Sequence, residues 1–507
     1  MKTICKLRLA FLVFAICYLA ILVSFIILNL SNMPIQWDEA GHIDNGLFLK
    51  LGMYKQFSTN LFYPPLYDFF VFLSYNIFGV SVVSARAVDA VFSVLLLWVV
   101  FEFTYKIYDG KTALLAMVFL GAMPGYFYAS HFAMLDIMVT FFFVSAIYAF
   151  YLWLQNGRDR MLIFIGLTIV VGFLAKYQVI VALLVMFVFL LFFSRMQLKS
   201  LYSKRMYITF YPVLLVVAAL LIYDLRSYLA MWISVLGLNT AGTFAPAYYL
   251  TEMNSIYPTI HPISLLMYIL GFAGLAFLAV RRLKADKLLL TWFITVFILY
   301  TIISNKNWRY VLPLFPALAI SAAALVTFSL SKLLSINRKT LSKIAASGLI
   351  AFVCVAMAYS VNDAVYWENS QNINFPLEQA VDYTIAHDGA NQGIMILIPN
   401  NYFSQGIAEF YLLKDGGTQI GLYSYPWSRI IDPTFNVTVI VDRCVQYDVK
   451  FLFLTEYLGN NLAYFDSTVT LMDVFTQLYD TNNFTHVTQQ QTFGESPNCI
   501  YILNFTG

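Results

Sequence analysis

The sequence predicts a polytopic α-helical membrane protein with a C-terminal soluble domain of mixed α and β structure. Three observations predict it. Of 507 residues, 61% are hydrophobic and 11% charged, where soluble globular domains run near about 45–50% and about 25%. Apolar runs reach or approach the ~20 residues that carry a helix across a bilayer. Hydropathy then falls after Tyr359, and residues 362–507 read as a soluble domain.

Eleven spans are predicted: 9–30, 85–106, 112–130, 136–154, 161–175, 178–194, 207–224, 263–280, 288–304, 311–331 and 342–361. Residues 1–361 thus form a membrane domain with a large first outer loop, 31–84. The fifth and sixth spans are short and meet at Ala175-Lys176-Tyr177-Gln178. The first span follows basic residues and precedes no small-residue cleavage site, so it reads as a retained signal anchor.

Charge sets the expected orientation. With a cytoplasmic N-terminus, inner segments hold 19 of the 30 lysines and arginines, outer segments of the membrane domain hold seven, and the tail holds four. This is the positive-inside pattern. It puts Asp38, Asp136 and the tail on the extracytoplasmic side. The net charge of +3 is small and forms no basic patch, so nucleic acid is excluded as a partner.

In the tail, Ile394-Met395-Ile396-Leu397-Ile398-Pro399, Phe451-Leu452-Phe453-Leu454 and Cys499-Ile500-Tyr501-Ile502-Leu503 read as buried strands. Asp473 through Tyr479 reads as a short helix. Sequons at Asn436, Asn483 and Asn504 agree with an outer placement. Cys444 and Cys499 are the two tail cysteines and the candidate disulfide pair. No Cys/His spacing marks a zinc site.

Candidate chemistry centres on acidic residues at the outer face. Asp38 and Glu39 follow the first span. Acidic residues there can simply favour a helix start. Their functional reading is Asp38 as a general base on an acceptor hydroxyl and Glu39 as an organiser. Asp136, at the start of the fourth span, is the third carboxylate, since ionisable groups at such depth are costly. Outer-face cations are few. Lys176, Lys306 and Arg309 are either interfacial anchors or ligands of a lipid phosphate. His42, Tyr63, Tyr67 and His131 are candidate substrate contacts. Asp89 and Glu102, in the second span, read as packing or snorkelling groups.

These residues form an ordered set that resembles the membrane glycosyltransferases of the C fold (GT-C), in particular the dolichyl-phosphate-mannose protein mannosyltransferases and the lipid A aminoarabinose transferases. The set comprises Asp38-Glu39, Tyr63-Pro64-Pro65-Leu66-Tyr67, Ser84-Ala85-Arg86, Leu135-Asp136, Gly172-Phe173-Leu174-Ala175-Lys176, and Arg309-Tyr310-Val311-Leu312-Pro313-Leu314-Phe315-Pro316. The resemblance implies inverting transfer of a mannose-like sugar from a polyprenyl-phosphate donor to a protein, glycan or lipid acceptor. It implies no metal and no cofactor beyond that lipid-phosphate donor. Asp38 would activate the acceptor, and the outer cations would hold the donor phosphate. The sequence departs from the aminoarabinose-type pattern at Tyr63, where a lysine usually precedes the proline pair, so either phosphate binding relies more on Lys176, Lys306 or Arg309, or the donor sits differently. A cell membrane, archaeal or bacterial, or an endomembrane fits this reading.

A transporter or flippase is the alternative class. It should show polar or broken midplane helices in two related halves, whereas here no half-repeat is visible. An oligosaccharyltransferase would carry Trp-Trp-Asp-Tyr-Gly in the tail, and this chain lacks it.

Overall fold

The computed structural model describes residues 2–31, 33–195, 211, 215, 218–219, 222, 247–253, 262–303, 306–336 and 339–370 of the membrane part. In the tail it describes 375–387, 393–397, 402–417, 420–425, 437–455, 487–495 and 498–505. Most of the span expected over 207–224, the helix expected over 473–479 and the sequons at Asn436 and Asn483 lie outside the described residues.

In chain order the first helices are α1 (Lys2–Asn29), α2 (Trp37–Leu51), α3 (Tyr54–Asn60), α4 (Leu66–Phe78), α5 (Val82–Ile107), α6 (Gly110–Gly121), α7 (Pro124–Ala129), α8 (Asp136–Asn156), α9 (Asp159–Ala175) and α10 (Val181–Phe193). Then follow α11 (Leu265–Arg281), α12 (Lys284–Ile302), α13 (Phe315–Leu334) and α14 (Lys339–Ser370). Among the described residues, six helical segments are long and apolar enough to cross a membrane: Leu9–Asn29, Val82–Ile107, Asp136–Asn156, Lys284–Ile302, Trp308–Leu334 and Thr340–Tyr366.

The chain divides into two compact units. The first comprises Met1–Leu30, Phe62–Tyr67 and Arg86–Ser370. In it, the single span expected over 112–130 is two helices, α6 and α7. The break falls at Met123, in extended conformation (φ −71°, ψ 125°) before Pro124, because a proline ring disfavours helical geometry in the residue before it. Where the fifth and sixth expected spans meet, Lys176 is extended (φ −160°, ψ 131°) between α9 and a 3₁₀ turn, Tyr177–Ile180. Helix α13 is the buried centre of the unit, lined by Ala317, Ala319, Ser321, Ala322 and Ala323. Small residues let membrane helices approach closely. At Gly274 on α11 an added Cβ would collide with the Ser321 and Ala322 backbone, so only glycine admits this approach.

The second unit comprises Ser31–Leu61, Asp68–Ala85 and Gln371–Gly507. Its α2 lies against α4 at Gly46, where a side chain would strike Val71. The tail adds α15 (Leu377–His387), α16 (Gln405–Lys414) and α17 (Val437–Gln446) to five strands: β1 (Gly393–Leu397), β2 (Leu422–Tyr425), β3 (Val449–Thr455), β4 (Val487–Phe493) and β5 (Ile500–Phe505). The sheet order is β2-β1-β3-β5-β4. β1 pairs in parallel with β2 and β3, whereas β5 runs antiparallel to β3 and β4. Parallel neighbours need crossover connections, and α16 and α17 supply them. The three strands expected from apolar runs coincide with β1, β3 and β5. Met395, Leu397, Leu452, Leu454 and Leu503 pack with Ile440 and Cys444 of α17. Cys444 and Cys499 are separate buried thiols. Asn504 lies half-buried in β5.

Candidate functional site

The first unit brings four of the expected residues together. Asp136 occupies the first turn of α8, where a helix dipole favours negative charge. Lys176 donates to Asp136 Oδ1 at 2.8 Å, and both side chains are nearly buried, 5% and 4% exposed. Arg309 Nη1 stands 3.8 Å from Asp136 Oδ2 and 2.7 Å from Met134 Sδ. The Lys176 ammonium lies over the Tyr63 ring at 5.0 Å and the Tyr310 ring at 5.5 Å, and Tyr177 stacks obliquely on Tyr63 at 6.0 Å. Lys176 is thus carried by its hairpin to Tyr63, the residue that stands where a lysine precedes the prolines in the resembling family.

Local structure explains how these groups are held. Extended backbone at Lys176 turns its side chain out of the helix line. Gln178 donates to the Tyr310 carbonyl at 2.6 Å, tying the hairpin to the 3₁₀ segment Trp308–Leu314. Asn307 caps that segment by accepting from the Arg309 amide at 3.0 Å. Two cations thus stand beside one carboxylate in this cluster. Tyrosine faces around it add cation–π attraction, and burial pushes the Tyr177 hydroxyl above the ordinary tyrosine range.

Asp89 takes the packing option of the sequence reading, not the snorkelling one. It is fully buried. It accepts from the Tyr67 hydroxyl and from the Met134 amide at 3.2 Å. One carboxylate therefore ties the end of the Pro-Pro-Leu-Tyr element to the loop that presents Asp136. Arg86, one turn earlier and also fully buried, donates to the Leu30 carbonyl at 2.8 Å and lies 4.9 Å over Phe132. The Asp89 signal was its place one turn after Arg86.

Lys306 and His131 do not join the cluster. Lys306 donates to the carbonyls of Tyr300 (2.8 Å), Thr301 (2.6 Å) and Ile303 at the end of α12, where cations complement the helix dipole. His131 Nδ1 meets the Phe127 carbonyl at 2.8 Å within a ring group of Phe127, Tyr128 and Phe132.

In the second unit, Asp38, Glu39 and His42 lie on α2. Glu39 is fully buried and accepts from the Gln36 amide at 3.3 Å, the reciprocal bond of a capping box. Asp38 is exposed in the same first turn. His42 Nδ1 is 2.7 Å from Asp68 Oδ1, a partner the sequence reading missed. Its place directly after Tyr67, in the first turn of α4, was the available signal.

Comparison with known proteins agrees with this architecture. Residues 63–223 match the dolichyl-phosphate-mannose-protein mannosyltransferase family. No curated protein matches the chain by sequence. Among solved structures, ArnT from Cupriavidus metallidurans bound to undecaprenyl phosphate is 12% identical, with 96% of this chain and 97% of that chain covered and a TM-score of 0.61. The archaeal oligosaccharyltransferase AglB from Archaeoglobus fulgidus, in complex with an inhibitory peptide and a dolichol-phosphate, is 12% identical over 96% and 74% of the chains, with a TM-score of 0.57. The mycobacterial arabinofuranosyltransferase AftD is 14% identical over 96% and 41%, with a TM-score of 0.53. The solved structures show that this chain shares the fold of these membrane glycosyltransferases, and its residues 63–223 are similar to the mannosyltransferase family.

Proposed function

We propose that the protein transfers a mannose-like sugar from a polyprenyl-phosphate donor to a protein, glycan or lipid acceptor at the extracytoplasmic face. The observation that carries this reading is the cluster in which Lys176 and Arg309 share Asp136. Two cations side by side suit an anionic ligand, and a lipid phosphate is an anion available at a membrane surface. The undecaprenyl phosphate of ArnT and the dolichol-phosphate of AglB are ligands of this kind.

Each residue has a stated role. Asp38, exposed at the start of α2, takes the proton of the acceptor hydroxyl. The acceptor oxygen attacks the anomeric carbon from the side opposite the phosphate, which inverts the centre. The bond from carbon to phosphate oxygen breaks, and its electron pair leaves on the lipid phosphate. Lys176 and Arg309 stabilise that developing charge. Asp136 holds both cations in place, and Glu39 holds the helix start that presents Asp38. Tyr63 and Tyr67 belong to the loop that borders the donor, and Lys306 completes the end of α12. The donor lipid is a co-substrate, and the reading requires no other cofactor. The N-terminus is assigned to the cytoplasm and the tail to the outside.

The test is sugar transfer by purified protein in nanodiscs, from labelled polyprenyl-phosphate mannose to membrane acceptors, for wild type and Asp38→Asn. Transfer by wild type with loss in the folded variant is expected. Equal transfer by both removes Asp38 as the base. Lipid-linked sugar crossing the bilayer without transfer replaces the reading with a flippase.

A further inference from the structure

We propose that His42 is a proton acceptor of the transfer reaction and that Asp68 is the residue that positions it. The inference rests on the glycosyl-transfer reading above and adds a second proton-handling group to it. His42 follows Asp38 by one turn of α2, and residues four apart share a helix face.

The network behind His42 is built, not incidental. His42 Nδ1 lies 2.7 Å from Asp68 Oδ1. The other Asp68 oxygen accepts from Asn45 Nδ2 at 2.8 Å, and Asn45 Oδ1 accepts from Asn60 Nδ2 at 2.9 Å. Asp68 is 2% exposed and Asn45 3%. All three helices of the outer loop contribute: His42 and Asn45 from α2, Asn60 from α3 and Asp68 from α4. A solvated histidine at the membrane surface needs no such support. Burying a carboxylate is costly unless its oxygens are satisfied, and here both are.

The geometry assigns the tautomer. An ionised carboxylate only accepts hydrogen bonds, so the Nδ1 that faces Asp68 carries the proton. The lone pair is then on Nε2, because the partner of one ring nitrogen sets the state of the other. A carboxylate that fixes an imidazole in this way also balances the imidazolium once it forms. Glu39, also on α2, is engaged with the Gln36 amide.

The proton balance is complete. The acceptor hydroxyl gives its proton to the Asp38 carboxylate as its oxygen bonds to the anomeric carbon. The electron pair of the broken carbon–oxygen bond leaves on the lipid phosphate. The proton passes from Asp38 to His42 Nε2, and Asp38 is again a carboxylate for the next turnover. The imidazolium then releases its proton to water.

The experiment uses the full chain in nanodiscs with ¹⁵N-labelled histidine. The chain has five histidines, and His42→Gln identifies the signal. The neutral His42 ring is expected to carry its proton on Nδ1, and Asp68→Asn is expected to move it to Nε2. With labelled polyprenyl-phosphate mannose, His42→Gln and Asp68→Asn are each expected to lower kcat by about 10²-fold or more with KM for the donor unchanged. A proton on Nε2 in the wild type, the same tautomer in Asp68→Asn, or wild-type kcat in His42→Gln overturns the proposal. Loss of transfer in Asp38→Asn with full transfer in His42→Gln overturns the relay alone and leaves glycosyl transfer standing. A wild type that transfers from no polyprenyl-phosphate sugar overturns both.

Discussion

The ammonium of Lys176 stands 2.8 Å from the carboxylate of Asp136, a pair 40 residues apart in the chain. Helix α8 runs away from Asp136, and α9 packs along it and returns, so that Lys176 just past the end of α9 meets the start of α8. A cation that interrupts an apolar hairpin is thereby held against a carboxylate that begins a membrane helix.

Removing one member of this buried pair breaks its 2.8 Å contact. Lys176→Met leaves Asp136 with Arg309 at 3.8 Å and is expected to cost about 3–5 kcal/mol. The double variant Lys176→Met/Asp136→Leu should recover most of that loss, since an apolar pair needs no desolvated charge. Unfolding followed by tryptophan fluorescence in detergent checks this. Equal destabilisation in the single and double variants would mean that the pair is not coupled.

Tyr67→Phe deletes one donor to the buried Asp89. The expected cost is about 1–3 kcal/mol. Sugar transfer should fall as well, because Asp89 also holds the amide of Met134, two residues before Asp136. A variant with wild-type stability and wild-type transfer would show that Asp89 needs no hydroxyl partner.

Asp44 makes the second unit sensitive to pH. It lies on α2, 2% exposed, and among the described residues its Oδ1 meets no hydrogen-bond partner. Burial, and next the Glu409 carboxyl on α16, hold its pKa well above the ordinary 3.8. The folded state therefore favours the neutral acid. Its contribution to stability is complete below about pH 4, and is lost as pH rises through the raised value. Hydrogen exchange in the peptides covering 37–51 and 405–414, corrected for intrinsic rate, should show less protection as pH rises across that window. Asp44→Asn should flatten the dependence. Identical pH profiles for the variant and wild type would assign the effect to other groups.

Cys444 is buried, and burial raises its thiol pKa to about 12. The thiolate is the reactive form, so maleimide at pH 8 should leave Cys444 unlabelled in the folded protein and label it fully in denaturant. Intact mass should show free thiols at Cys444 and Cys499. A loss of two mass units, restored by reduction, would show a disulfide instead.

Much of the membrane architecture was legible because bilayer solvation acts on composition. A helix that crosses lipid must be apolar along its length, and α5, α8, α12 and α13 appear as such in the chain. The strands β1, β3 and β5 were legible for a similar reason, each being a short apolar run. The break between α6 and α7 was missed although Pro124 marks it, since hydropathy is blind to backbone geometry. Asp68 was passed over, and the partners of Asp89 were not legible, because the groups they bind, His42 and Asn45 for one, Tyr67 and the Met134 amide for the other, come from separate segments.

The sequence by itself determined the membrane class and the sites where rare charges fall at the ends of apolar spans. Both follow from the local free-energy cost of placing a residue in lipid. Only the tertiary structure decided which charge meets which. It paired Lys176 with Asp136 and set Lys306 on the carbonyls of α12. It also spent Glu39 on a helix cap and gave His42 a buried carboxylate. Hydrogen bonds and ion pairs act over about 3 Å, and separations that short between distant residues exist only once the helices have packed.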